Sequence, residues 1–133
     1  MTAEYRDGLV LAYPCIREIW LFGSRANNRA RPDSDWDYLV FTDHASLMNQ
    51  LCHDARFDDE GIDLFVVEEG LRVALNPWDR KGIARMLNLN PGDANLNWEK
   101  VSPIEAHYTE TKDIPGSFNV DVRRARANLV YRR

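Results

Sequence analysis

Two aspartates one residue apart, Asp35 and Asp37, and a third placed inside an apolar run, Asp63, are the residues most able to do chemistry in this 133-residue chain. Side chains two apart on a strand project to the same face, so Asp35 and Asp37 address one point in space while Trp36 and Tyr38 turn away. Like charges held this close are unfavourable until a cation neutralises them, and hard oxygen donors suit magnesium or manganese. Asp63 interrupts the run Ile62 to Val67, where a buried carboxylate without compensation is costly, so it needs a partner such as the same metal cluster.

Gly23 and Ser24 follow an abrupt stop in the apolar segment Ile19, Trp20, Leu21, Phe22. A glycine there lets backbone approach a ligand closely, and Ser24 can cap a short helix through about Arg29 whose first amides suit a phosphate. Arg25 could contact a triphosphate or could equally be a surface arginine. Taken alone, a Gly-Ser turn or an isolated Asp-X-Asp is an ordinary cap or a solvated strand end. It is the combination that points to a site.

The elements that must position these residues follow from periodicity. Thr2 can cap a first helix with Tyr5, Leu9, Ala12 and Tyr13 on one face, closed by Pro14. Strands are predicted over residues 16–22, 35–41 and 62–67, with a polar turn at 31–34. Asp43 can cap a helix that lines Leu47, Met48, Leu51 and Ala55 along one face. The alternation α, β, α, β, α, β argues for a layered α/β domain. For Gly23 to meet Asp35 and Asp37 the first two strands must run antiparallel, and for Asp63 to join them the second and third must run parallel. Beyond residue 69 the expectations are a helix from Asn76 and Pro77 through Leu87, a turn-rich stretch over 88–97, one or two edge strands within 97–107, and a loop over 114–117. A last helix from Asn119 is expected to turn Phe118, Val122, Ala125 and Leu129 inward and its arginines outward.

The stretch LFGSRANNRARPDSDWDYLV from Leu21, followed by GIDLFVV from Gly61, resembles the polymerase-β nucleotidyltransferase signature: an apolar residue, Gly-Ser, about ten residues, Asp-apolar-Asp-apolar, and a later strand aspartate. The resemblance covers about residues 15–68, and its GSRA and SDWDYLV halves are similar to the minimal nucleotidyltransferases. It implies an α/β fold, with an α+β-like mixed sheet flanked by helices. It further implies transfer of a nucleoside monophosphate from a triphosphate, ATP being the expected one, to an acceptor hydroxyl with release of pyrophosphate. Two Mg2+ or Mn2+ ions are implied as cofactors. Asp35 and Asp37 would bridge both; Asp63 would bind only the ion under the attacking hydroxyl and help accept its proton. Gly23, Ser24 and Arg25 form the nucleotide-binding set. The alternative is a nucleotide-binding module without useful transfer, such as the antitoxin subunit of a toxin and antitoxin pair.

Composition narrows the setting. The chain is short enough for one domain over 1–133, and its 17 basic and 21 acidic residues give a net charge of −4. Residues 121–133 hold five arginines against one aspartate, a local +4 that leaves −8 on the other 120. A whole-surface attraction for nucleic acid or membrane is therefore not expected, although an RNA contact through the basic tail is a further alternative. A solvated helix face is the plainer reading of those arginines. Cys15 and Cys52 read as buried, unbridged thiols. Cys52, His53 and His44 lack a second ligand pair at zinc spacing. Asp33, Asp58, Asp59 and Glu60 read as turn residues. The absence of a leader or a long apolar run predicts a cytoplasmic protein. Because so short a chain has little surface left to enclose an acceptor, a homodimer or an obligate partner protein is expected, with contacts in residues 70–133.

Overall fold

The computed structural model describes residues 1–43, 46–68, 73–75, 77–78, 86–88, 98–113 and 116–133. Helix α1 (Ala3–Ala12) begins where Thr2 is extended and its hydroxyl accepts the Tyr5 N–H at 3.1 Å. Tyr13 leaves the helical region, as a residue before proline must. Only Leu9 of α1 is fully buried, so this one side chain, worth roughly 1.5–3 kcal/mol of burial, carries much of its docking.

Strands β1 (Ile16–Phe22) and β2 (Trp36–Thr42) pair antiparallel, and β2 pairs parallel with β3 (Ile62–Glu68), as the positions of the carboxylates required. Further strands are β4 (Val73–Leu75), β5 (Met86–Asn88), β6 (Glu99–Lys100), β7 (Glu105–Asp113) and β8 (Val120–Arg132). Among the described residues they make one mixed eight-stranded sheet in the order β5-β4-β3-β2-β1-β8-β7-β6. The fold is thus α/β with a mixed sheet.

Both faces of the central strands are buried, which is why the middles of β1, β2 and β3 are continuous apolar runs rather than alternating. On one face, Leu9 of α1, Leu47 and Leu51 of helix α2 (Leu47–Leu51) and Phe57 pack over Ile19, Tyr38, Val40, Leu64 and Val66. On the other, Trp20, Phe22, Leu39, Phe65 and Val67 meet Ala106, Tyr108, Ala125 and Ala127 of the β7–β8 hairpin, with Trp98 edge-on to Trp20 at 5.4 Å.

Several expectations are corrected. The basic C-terminal helix is strand β8: Ala125 and Ala127 are buried while Arg124 and Arg126 are exposed, a period of two, and the strand covers the β1 edge that β2 leaves open. The spacing of Val122, Ala125 and Leu129 matches a helix only by coincidence. Of the helix predicted from Asn76 through Leu87, Met86 and Leu87 belong to strand β5, while residues 76 and 79–85, like 89–97 of the turn-rich stretch, lie outside the described residues. Helix α2 is shorter than expected, and Asp43 does not cap it. Asp43 pairs with Arg17 at 2.8 Å and Arg133 at 2.6 Å, and the α2 N-terminus is capped from afar by buried Glu68, whose carboxylate accepts the Met48 N–H at 2.9 Å. Ala55 belongs to a separate 3-10 turn, Ala55–Phe57, capped by Asp54. The edge strand expected within 97–107 is present as β6, while β7 runs on into a long hairpin. Both cysteines are free; Cys15 is half-buried, but Cys52 is exposed rather than buried.

Candidate active site

The end of β1 and the starts of β2 and β3 meet at one point. Phe22 is the register partner of Asp37 on one side, and Asp63 is its partner on the other, so Asp37 and Asp63 stand side by side on parallel strands about 4.8 Å apart. Asp35 precedes β2 by one residue and lies two before Asp37, and the Trp36 N–H to Gly61 carbonyl bond of 2.9 Å ties the two strand starts together. Asp63 is buried, while Asp35 and Asp37 are half-buried. The alternation along β2 and β3 puts Asp37 and Asp63 on the face of Leu39 and Phe65, away from the helices.

Gly23 closes over this pair. It has φ 73° and ψ −155°, a region essentially reserved for glycine, and a β-carbon there would stand 2.5 Å from Asp37 Oδ2. Ser24 does not act as the cap. The cap position belongs to Gly23, and the expected helix through Arg29 is a single 3-10 turn, Ser24–Ala26, ended by Asn27 and the left-handed Asn28 at φ 56°. Ser24 is half-buried at the first position of that turn, where backbone N–H groups have no intrahelical acceptor. Arg25 is tied to the turn before β2: Nη2 donates to the Ser34 carbonyl at 2.8 Å, and the guanidinium lies 4.5 Å over the half-exposed Trp36 ring. Its side chain therefore braces the approach to Asp35 from the outside.

Tyr38, the other polar group close by, lies on the helix face. Burial pushes its phenol up to about 12, with Arg25 opposing the shift and Asp37 adding to it, so it stays protonated at neutral pH and cannot serve as a base. The exposed Asp33, Asp58, Asp59 and Glu60 remain outside the site, Asp59 closing a turn by accepting the Gly61 N–H at 2.8 Å.

Three residues escaped the sequence reading. Tyr108 of β7, buried to 3% exposure, accepts the Gly23 N–H at 2.9 Å. Asn27 donates to the Gly23 carbonyl at 2.8 Å and brackets Arg126 of β8, accepting its N–H at 2.9 Å and donating to its carbonyl at 3.0 Å. Arg126 Nε donates to the Ala26 carbonyl at 3.0 Å. Contacts 85 and 99 residues apart in the chain leave no local pattern.

Residues 9–70 match the family described as polymerase beta, nucleotidyltransferase. This segment is a polymerase-β-type nucleotidyltransferase domain. It contains every residue singled out by the motif and none of the β7–β8 hairpin. No curated protein and no solved structure matched the chain.

Among the described residues no three His, Cys, Asp or Glu side chains form a ready-made metal cage, and this includes Cys52 and His53. The carboxylates nonetheless fit a hard divalent ion chemically: all are oxygen donors, and Asp37 and Asp63 are register neighbours.

Proposed function

We propose that the chain transfers a nucleoside monophosphate from a nucleoside triphosphate, ATP in the first instance, to an acceptor hydroxyl. The observation that carries this reading is the register of Asp37 with Asp63 beneath the glycine turn of a nucleotidyltransferase domain. Asp35 and Asp37 would hold two Mg2+ or Mn2+ ions between them and Asp63 would hold one. Such ions supply charge neutralisation at the phosphates and a lowered pKa for the attacking hydroxyl.

The chain's own residues orient and exclude. Ser24 and the first amides after Gly23 hold the outer phosphates, whose negative charge suits a turn that presents N–H groups. The acceptor oxygen bonds to the α-phosphorus, the bond from that phosphorus to the bridging oxygen of the β-phosphate breaks, and pyrophosphate leaves with the electron pair. Asp63 accepts the hydroxyl proton, which its position on the buried side of the pair allows. We further propose that the acceptor is enclosed by a second copy or a partner protein, and that the protein works in the cytoplasm. No helix of the described residues is long and apolar enough to cross a membrane.

The test is a pair of labelled triphosphates. Label on the α-phosphate should appear on the acceptor, and label on the γ-phosphate should leave in pyrophosphate. Transfer of γ-label to the acceptor would replace this reading with phosphoryl transfer.

A further inference from the structure

We propose that the β7–β8 hairpin completes the active site from outside the matched domain, with Tyr108 as a positioning residue that holds the Gly23 turn closed over Asp37 and Asn27 as its second anchor. The proposal rests on the nucleotidyl-transfer reading above and adds to it a function for the C-terminal part of the chain.

Gly23 occupies a backbone region open to glycine alone, and because glycine is free to leave it, surrounding contacts must select it. Those contacts are visible on both sides of the residue. Its N–H is taken by the Tyr108 hydroxyl at 2.9 Å, and its carbonyl by Asn27 Nδ2 at 2.8 Å. Asn27 is fixed in turn by the backbone N–H and carbonyl of Arg126, an amide side chain imitating one rung of a strand ladder. The Arg126 guanidinium adds a bond to the Ala26 carbonyl. Both anchors of Gly23 therefore run through β7 or β8, whereas Arg25 ties the turn to the Ser34 carbonyl ahead of β2.

The choice of tyrosine is informative. Its ring packs edge-on to Phe22 at 5.9 Å and stacks with Trp98 at 6.4 Å, contacts that phenylalanine would make equally well. A buried hydroxyl is costly unless it is hydrogen-bonded, and here the Gly23 amide is one of its partners. Since Gly23 packs directly on Asp37, loosening the turn frees both the phosphate-holding segment and the carboxylate beneath it. A hydroxyl present only to stabilise the fold would affect melting without changing ligand affinity.

Tyr108→Phe removes the hydroxyl and keeps the ring. Tyr13→Phe serves as the control, because it also deletes a tyrosine hydrogen bond, to Asp54 at 2.5 Å, but on the helix face. Three readouts are compared: hydrogen exchange of the Gly23 amide by NMR, calorimetric affinity for ATP with magnesium, and melting temperature. Tyr108→Phe should speed Gly23 exchange at least about tenfold and weaken ATP binding about tenfold, the scale of one hydrogen bond. Tyr13→Phe should change neither, at a similar loss in melting temperature. Asn27→Asp, a half-exposed change that keeps the acceptor and loses the donor, should also weaken ATP binding, and it provides a second route should the aromatic variant fold poorly. Unchanged Gly23 exchange in Tyr108→Phe would overturn the clamp. Faster exchange with unchanged ATP affinity would overturn its positioning role. A wild type that binds no triphosphate would instead sink the nucleotidyl-transfer reading and this role with it.

Discussion

Gly23 and Asp37 are in such close contact that a single methyl group cannot be placed between them: a β-carbon on residue 23 would stand 2.5 Å from Asp37 Oδ2 and 3.4 Å from its Cγ. The same residue also has φ 73°, so an L side chain is penalised twice, by the backbone and by the carboxylate. The glycine of the motif is therefore a condition on the geometry of the aspartate across the strand pair.

Gly23→Ala should accordingly destabilise the fold by about 1–3 kcal/mol and displace the Asp37 carboxylate. Melting curves measure the first effect and metal-dependent ATP binding the second. Wild-type stability together with wild-type ATP affinity in this variant would mean that the turn is wider in solution than the contact allows.

Triphosphate binding should require magnesium or manganese, because carboxylates repel an anionic ligand until cations stand between them. Calorimetry with and without chelator measures this. The double variant Asp35→Ala and Asp37→Ala should lose the metal-dependent part of the affinity. Equal affinity in all conditions would show that the pair is not a metal site.

Glu18 sets an acid limit on stability. Burial pushes its carboxyl up, but hydrogen bonds from Lys100 at 2.7 Å and Trp20 at 2.8 Å, with the charges of Lys100 and Arg132, outweigh this and leave it below the ordinary 4.5. A carboxyl lowered in the folded state contributes stability that is present above its unfolded value and lost as pH falls through its folded value. Melting temperature should therefore drop as pH is lowered from about 5.5 to about 3, and Glu18→Gln should flatten that part of the profile. An identical acid profile in the variant would assign the loss to other carboxylates.

The site was legible in the sequence because its residues are local and periodic. Asp35 and Asp37 are two apart on a strand, Asp63 interrupts an apolar run, and Gly23 ends another, so the antiparallel and parallel pairings could be deduced from where the carboxylates must meet. What lay beyond residue 69 was less legible. Ala125, Ala127 and Leu129 fit a strand, but Val122, Ala125 and Leu129 also fit a helix, and only the open edge of β1 decides between them. Tyr108 gave no signal, and neither did the bonds of Asn27 to Arg126, because these partners are remote in sequence. The Asp43 cap failed for a related reason: two arginines from elsewhere in the chain take its carboxylate, and Glu68 supplies the α2 cap from the end of β3.

Asp63→Asn should separate a working transferase from a module that only binds nucleotide. The substitution keeps shape and most hydrogen bonding but removes the charge. In the proposed mechanism Asp35 and Asp37 hold the ion that travels with the triphosphate, so ATP affinity should survive. Transfer should fall by about 10² to 10⁴, the usual loss when a positioned base or metal contact is removed. Asp63 is 6% exposed and beside the half-buried Asp37 in register, so neutralising it also relieves like-charge repulsion, and the metal-free variant should melt slightly higher than the wild type. Full transferase activity on a confirmed acceptor in Asp63→Asn would refute the three-carboxylate mechanism. Tight, metal-dependent ATP binding by a wild type that transfers to no acceptor would favour the regulatory module instead.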